Sequence, residues 1–282
     1  MTLSTLKTAA CGLALVAAPL AVSAEDLLIN GQVEINTEVQ PADHMKGIVP
    51  VVRSGWTFRS PETQVLQMDD FDNPGMIFVD QGMSLWQTGD GATGESCADC
   101  HGDMAESMEG VRASMPKMNP EGTDLWTLEE NINNCRTERM EAEDWAWESS
   151  EMLAMTAAIG KQSRGMPVDV EIDGPAREWW ERGEELYYQR VGQLDMACAN
   201  CHEDNYDNMI RADHLSQGQI NGFPVYRLKW GGLGSIHRRF KGCMKNIRAE
   251  PYTRGSDEFK ALELYVASRG AGLDVETPSV RN

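Results

Sequence analysis

Two pentapeptides constrain this chain more than anything else in it: CADCH at Cys97–His101 and CANCH at Cys198–His202. Cys-x-x-Cys-His is the attachment signature of c-type haem, in which two thiols bond to the porphyrin vinyl groups and the adjacent histidine takes the proximal position on iron. A thioredoxin-like pair needs no trailing histidine, and two halves of a zinc site need not both carry one. Two covalently bound haem c groups are therefore expected, attached through Cys97, Cys100, Cys198 and Cys201, with His101 and His202 on the irons.

The compartment agrees. Lys7 is the only charge before Glu25, an Ala/Leu/Val run follows it, and Val22-Ser23-Ala24 fits a small-residue cleavage site, so residues 1–24 read as a secretory signal peptide. That run is too short and too alanine-rich for a membrane span. A soluble, exported, periplasmic protein is expected, which suits c-type haem attachment outside the cytoplasm. The formal net charge is −19, and losing Lys7 with the leader makes it one unit more negative. Such a chain is a poor partner for nucleic acid or anionic membrane.

The chain also repeats itself. Gly82-x-x-x-Trp86 precedes the first haem motif as Gly183-x-x-x-Tyr187 precedes the second, and glycine there permits close helix crossing. CRTERME at residues 135–141 matches CMKNIRAE at residues 243–250 with one residue inserted. Each leads to a helical stretch; in the second, Phe259, Leu262, Tyr265 and Val266 recur on one helix face. VDVE (168–171) and LDVE (273–276) close the halves. The expected fold is mainly α: two tandem class-I-like cytochrome c domains related by internal duplication, at residues 73–173 and 174–282. Gly174-Pro175 punctuates the seam between them. Residues 25–72 read as an N-terminal extension packed on the first domain.

Cys135 and Cys243 remain after the haem thiols are assigned and the leader has taken Cys11. Each follows its own haem motif by the interval at which a small cytochrome c domain supplies the distal ligand. Three readings stand at this point. Both could ligate iron as thiolates, the two could join in a disulfide in an oxidising compartment, or methionines such as Met104, Met115, Met118, Met166 or Met209 could ligate instead. His44, His214 and His237 do not repeat between the halves, which disfavours a paired bis-histidine scheme.

Taken together, the two haem motifs, Cys135, Cys243, RRFKGCMKNIRAEPY and SDEFKALELYVASRG resemble the SoxA family, the dihaem cytochrome subunits of bacterial thiosulfate oxidation. The resemblance spans essentially the whole mature chain. It implies His101 and Cys135 as axial ligands of the first haem, and His202 and Cys243 as those of the second, which is the active one. It implies that Cys243 can carry an extra sulfur as a persulfide, and that Arg239, four residues before it, lines the substrate approach. The implied activity is that of an L-cysteine S-thiosulfotransferase, joining thiosulfate to a cysteine of the SoxYZ carrier. The implied electron route runs to the monohaem subunit SoxX, with which the chain forms a heterodimer, and on to a soluble c-type cytochrome.

The residues around Cys243 suit an anionic substrate. Arg238, Arg239, Lys241, Lys245 and Arg248, with Arg227 and Lys229 upstream, concentrate positive charge in an acidic chain. Such charge attracts a small dianion and favours a thiolate, and some of it is expected on haem propionates. Around Cys135, by contrast, Glu138, Glu141, Glu143 and Asp144 offset Arg136 and Arg139, so the first haem is expected to be structural or electron-transferring. The acid- and tryptophan-rich residues 140–151 read as solvated surface. Two other functions use a similar frame: a dihaem thiosulfate dehydrogenase forming tetrathionate, and a plain dihaem electron carrier.

Overall fold

Glycine decides how the helices of each half cross. In the computed structural model, which describes residues 27–282 except Ala212, a Cβ added at Gly82 would stand 2.2 Å from the Ala154 carbonyl oxygen. A Cβ at Gly183 would stand 2.1 Å from that of Ala261. Only a residue without a side chain lets two backbones approach this closely. Gly183→Ala is expected to force the pair apart and to cost about 1–3 kcal/mol, read as a lowered denaturant midpoint of the haem-loaded protein. An unchanged midpoint would mean that the crossing is not tight.

The expected leader and its expected cleavage site lie outside the described residues. From there α1 (Pro61–Met68) leads into the first half, made of α2 (Met76–Trp86), α3 (Cys97–His101), α4 (Met104–Ser107), α5 (Leu128–Arg139) and α6 (Ser150–Lys161). The second half repeats the order with α7 (Arg177–Tyr188), α8 (Cys198–His202), α9 (Ile236–Asn246) and α10 (Asp257–Arg269). The pairs α2 with α6 and α7 with α10 are the principal helix contacts, one in each half. Ser149 caps α6 and Ser235 caps α9, each accepting from a backbone N–H in the first turn.

The periodicity of α10 suggests one apolar face, yet every residue from Phe259 to Arg269 is buried. Its charged residues are matched instead of solvated. Lys260 Nζ reaches Asp124 at 2.8 Å, and Arg269 Nη1 reaches Glu203 at 2.6 Å while lying over the Tyr187 ring. Asp124 comes from the first half, so the neighbouring half covers what a lone cytochrome domain would leave wet.

The closing segments of the two repeats pair with each other. Val168 N donates to Leu273 O at 2.9 Å, Gly272 N to Val168 O at 2.9 Å, and Val275 N to Met166 O at 2.9 Å. These bonds join the two halves.

The extension departs from expectation. It contacts the first half, as in the Asp70–Arg164 ion pair at 2.8 Å, but its polar contacts gather on the end of the second half. Asn36 N and Nδ2 donate to Asp274 Oδ2 at 2.8 and 3.0 Å, and Gln67 Nε2 donates to Glu276 Oε2 at 3.0 Å. Ser54 Oγ also donates to Glu276, which is fully buried. A buried carboxylate needs donors, and the extension provides them. Strand Ser279–Arg281 pairs in parallel with Val225–Arg227, which pairs antiparallel with Gly232–Gly234, so the chain end is sewn under the extension.

Candidate active site

The haem motifs form single-turn helices, and their variable residues explain how. Ser96 N donates to Asp99 Oδ2 at 2.7 Å and Asp99 N donates back to Ser96 Oγ at 3.2 Å, a capping box inside CADCH. In CANCH the Asn200 side chain accepts from Ala197 N at 2.9 Å. One helical turn brings cysteines three residues apart to the same side.

The structure assembles two separate sets of thiols. Burial pushes the Cys97 thiol up, followed by the neighbouring Cys135, with Cys100 contributing. Burial likewise pushes Cys198 up to about 12, with Cys243 and Cys201 beside it. Each leftover cysteine thus stands with its own haem pair. All six cysteines among the described residues are free, so Cys135 and Cys243 do not form a disulfide.

The His202 ring is held at one nitrogen. Its Nδ1–H donates to the Ser216 carbonyl at 2.7 Å, which leaves Nε2 as the free donor atom. Gly218, at φ +81°, lies so close under the ring that a Cβ would meet Cγ at 2.9 Å. His101 packs against Trp86, whose Nε1 donates to the Gly102 carbonyl at 2.9 Å. The first set is the more open: Cys100, His101 and Cys135 are exposed, whereas Cys198, Cys201, His202 and Cys243 are partly buried.

The two distal cysteines differ in electrostatics. Burial raises the Cys135 thiol and Arg139 opposes it only in part. Burial also opposes ionisation of Cys243, but Arg239, the His202 imidazole and Arg227 overcome it and bring the thiol down to about 6. The residue four before Cys135 is Asn131, which donates to the Thr127 carbonyl at 2.8 Å, so the first half has no cation where the second has Arg239. Arg136 is turned away, bound to Asp90 at 2.9 Å and stacked 3.9 Å over Trp145.

Only part of the basic run converges on Cys243. Arg239 and Cys243 stand four apart on α9 and share a face. Arg238 points elsewhere, 4.2 Å over Trp230 and 3.6 Å from Glu148, while Lys245 and Arg248 are exposed. The pocket is completed from outside that run. Arg59, from the extension, meets Asp213 at 2.5 Å; Arg227 Nη2 reaches the other oxygen at 3.0 Å, and Lys229 stands 3.8 Å away. Burial first, then Arg239, push Arg227 down to about 10, while Arg59 is lowered by burial with Arg281 and Arg239 adding to it. Three cations (Arg59, Arg227 and Lys229) thus share the one carboxylate of Asp213, and Arg239 adds a fourth positive charge near Arg227 and Lys229, which leaves a net positive pocket beside Cys243. Sequence reading missed Arg59 and Asp213, and no motif marks either.

The expected solvated surface at residues 140–151 also needs correction. Glu141, Glu143 and Asp144 are exposed, but Trp145 lies under Arg136, and Trp147 stacks on His237 of the second half at 4.3 Å.

Comparison with known proteins fits this arrangement. The family model described as SoxA/TsdA, cytochrome c domain, matches residues 81–168 and again residues 182–275. A protein of Paracoccus pantotrophus named L-cysteine S-thiosulfotransferase subunit SoxA is 53% identical over 285 residues, covering 100% of this chain and 98% of that protein. Its namesake in Rhodovulum sulfidophilum is 52% identical over 273 residues, covering 96% and 95%. This chain belongs to the SoxA family. A crystal structure of SoxXA from P. pantotrophus matches with a TM-score of 0.89 at 53% identity, over 92% of this chain and 99% of that one.

As a SoxA family member the chain is a mainly α protein with two cytochrome c domains, and such domains carry covalently bound haem c. The side chains present fit that group. Each half offers two free thiols on a one-turn helix and an adjacent histidine, and in the second half the histidine's Nδ1 is already engaged.

Proposed function

We propose that this SoxA family member is the dihaem subunit of a periplasmic L-cysteine S-thiosulfotransferase, working as a heterodimer with a SoxX-type monohaem cytochrome. Its substrates are thiosulfate and the terminal cysteine of a SoxYZ-type carrier. The observation that carries the reading is the cationic pocket beside Cys243, where Arg239 joins three cations that share one carboxylate in an otherwise acidic protein.

The residues divide the work. Thiosulfate is a dianion, and the fork of Arg239 suits its sulfonate oxygens, while Arg227, Lys229 and Arg59, engaged with Asp213, add positive charge. Asp213 orients Arg59 and Arg227 by taking one guanidinium on each of its oxygens. Cys243 presents a polarisable sulfur held toward its thiolate form, from which a persulfide is accessible. Haem would be held by His101 and Cys135 in the first half and by His202 and Cys243 in the second, beyond its thioether bonds. A carrier thiol and thiosulfate dianion give a carrier thiosulfonate monoanion, one proton and two electrons. Haem c, when bound, supplies a one-electron acceptor beside this chemistry, and the electrons leave to a soluble c-type cytochrome.

The experiment combines purified holoprotein with its SoxX-type partner, reduced SoxYZ-type carrier, thiosulfate and ferric cytochrome c. A carrier that gains one thiosulfonate by intact mass supports the proposal. Free tetrathionate with an unmodified carrier would favour the dehydrogenase reading, which the SoxA/TsdA breadth of the family model keeps in view. The denatured mature chain, starting at Glu25, is expected to carry two haems by mass; one haem or none would refute the paired-site reading.

A further inference from the structure

One buried charged cluster takes no part in the chemistry above. His237, Glu263 and Glu129 meet where the halves join, with exposures of 0%, 3% and 8%. Gly255 N donates to His237 Nδ1 at 3.0 Å, so the ring's proton sits on Nε2, which stands 3.1 Å from Glu263 Oε2 without hydrogen-bond alignment, both atoms being buried and otherwise unpartnered. The ring lies flat against Trp147 (4.3 Å, 7°) and packs at a tilt against Phe259 (5.2 Å, 51°). Burial, then the charge on Glu263, push the Glu129 carboxyl up to about 7, with His237 and Arg112 pulling the other way. Glu148, next to Trp147, holds Arg238 and Arg254 at the rim of the cluster.

The position of this cluster relates it to both haem sites. Glu129 is the second residue of α5 and His237 the second residue of α9, and each precedes its half's distal cysteine by six residues. Six residues span about 9 Å of helix. Trp147 and Glu129 belong to the first half, His237 and Glu263 to the second. On α9, Arg239 follows His237 by two residues, about 200° around the axis. Holding His237 inward therefore turns Arg239 outward.

We propose that His237 is a positioning residue: clamped between Trp147 and Glu263, it fixes the rotation of α9 and so the placing of Arg239 and Cys243. The first half then supports the second half's chemistry through Trp147 and Glu129, independently of any electron its own haem carries. The inference rests on the reading of Cys243 as distal ligand of the second haem.

The test uses the full chain with both haems and its monohaem partner. His237→Ala is expected to keep two haems, to shift or split the low-spin paramagnetic resonance signal of the second haem alone, and to raise KM for thiosulfate at least about threefold. His237→Gln, whose amide N–H can reach Glu263, is expected to restore the single signal and most of the affinity. Trp147→Leu should act like His237→Ala, more weakly. An unchanged second-haem signal and KM in His237→Ala would overturn the proposal. So would equal changes at both haems that His237→Gln does not rescue, since those mark general loosening. Cys243→Met in parallel tests the ligand reading separately: if it leaves the second signal unchanged, that reading fails, while KM in the His237 variants still decides the positioning role.

Discussion

Cys243→Ala is expected to lose thiosulfate-dependent turnover to the background rate while keeping both haems attached. The thioether bonds come from Cys198 and Cys201, which the substitution does not touch. What goes is the one sulfur held toward its thiolate form by Arg239 and Arg227, and with it the proposed distal ligand of the active iron. Groups that act as a unit fail together, so no partial activity should survive. Cys135→Met is the matched control: it should change the first haem's spectrum and leave most of the turnover, because Cys135 has Asn131 where Cys243 has Arg239. Steady-state assay with the carrier decides. Substantial activity in Cys243→Ala, or a larger loss in Cys135→Met, would reverse the assignment of the catalytic half.

Arg239→Ala is expected to lower kcat/KM for thiosulfate roughly ten- to a hundredfold, the equivalent of one charge-assisted contact of about 1.5–3 kcal/mol. Arg239→Lys should recover only part of it, because an ammonium cannot grip two sulfonate oxygens as a fork. The neighbouring Arg238→Ala should stay within about threefold of the parent, since Arg238 lies over Trp230 and beside Glu148 and away from the pocket. Equal losses at Arg238 and Arg239 would mean that diffuse charge, and not a directed contact, attracts the substrate.

The pattern of success and failure in reading the sequence has a physical cause. Features set within a few residues were legible. The Cys-x-x-Cys-His helices are one turn long and capped from within, and Arg239 and Cys243 share a face because they stand four apart. Gly82 and Gly183 could be read because a missing Cβ in a helix has few other uses. The duplication was legible for a similar reason: each copy retains its own local landmarks.

What escaped the sequence depends on which distant segments become neighbours. The basic run promised five cations at Cys243, but Arg238 turns to Trp230, Lys245 and Arg248 stay exposed, and Arg239 is joined in the pocket by Arg59, Arg227 and Lys229 around Asp213. The extension lies chiefly on the second half because the buried carboxylates of Asp274 and Glu276 require its donors. The burial of α10 from Phe259 to Arg269 and the stacking of Trp147 on His237 follow from docking one half on the other. Sequence alone therefore determined the haem motifs, the two-domain repeat and the paired cysteines, which local spacing encodes. Only the tertiary structure decided which charges face Cys243, because a charge acts through the distance that folding sets and not through its separation along the chain.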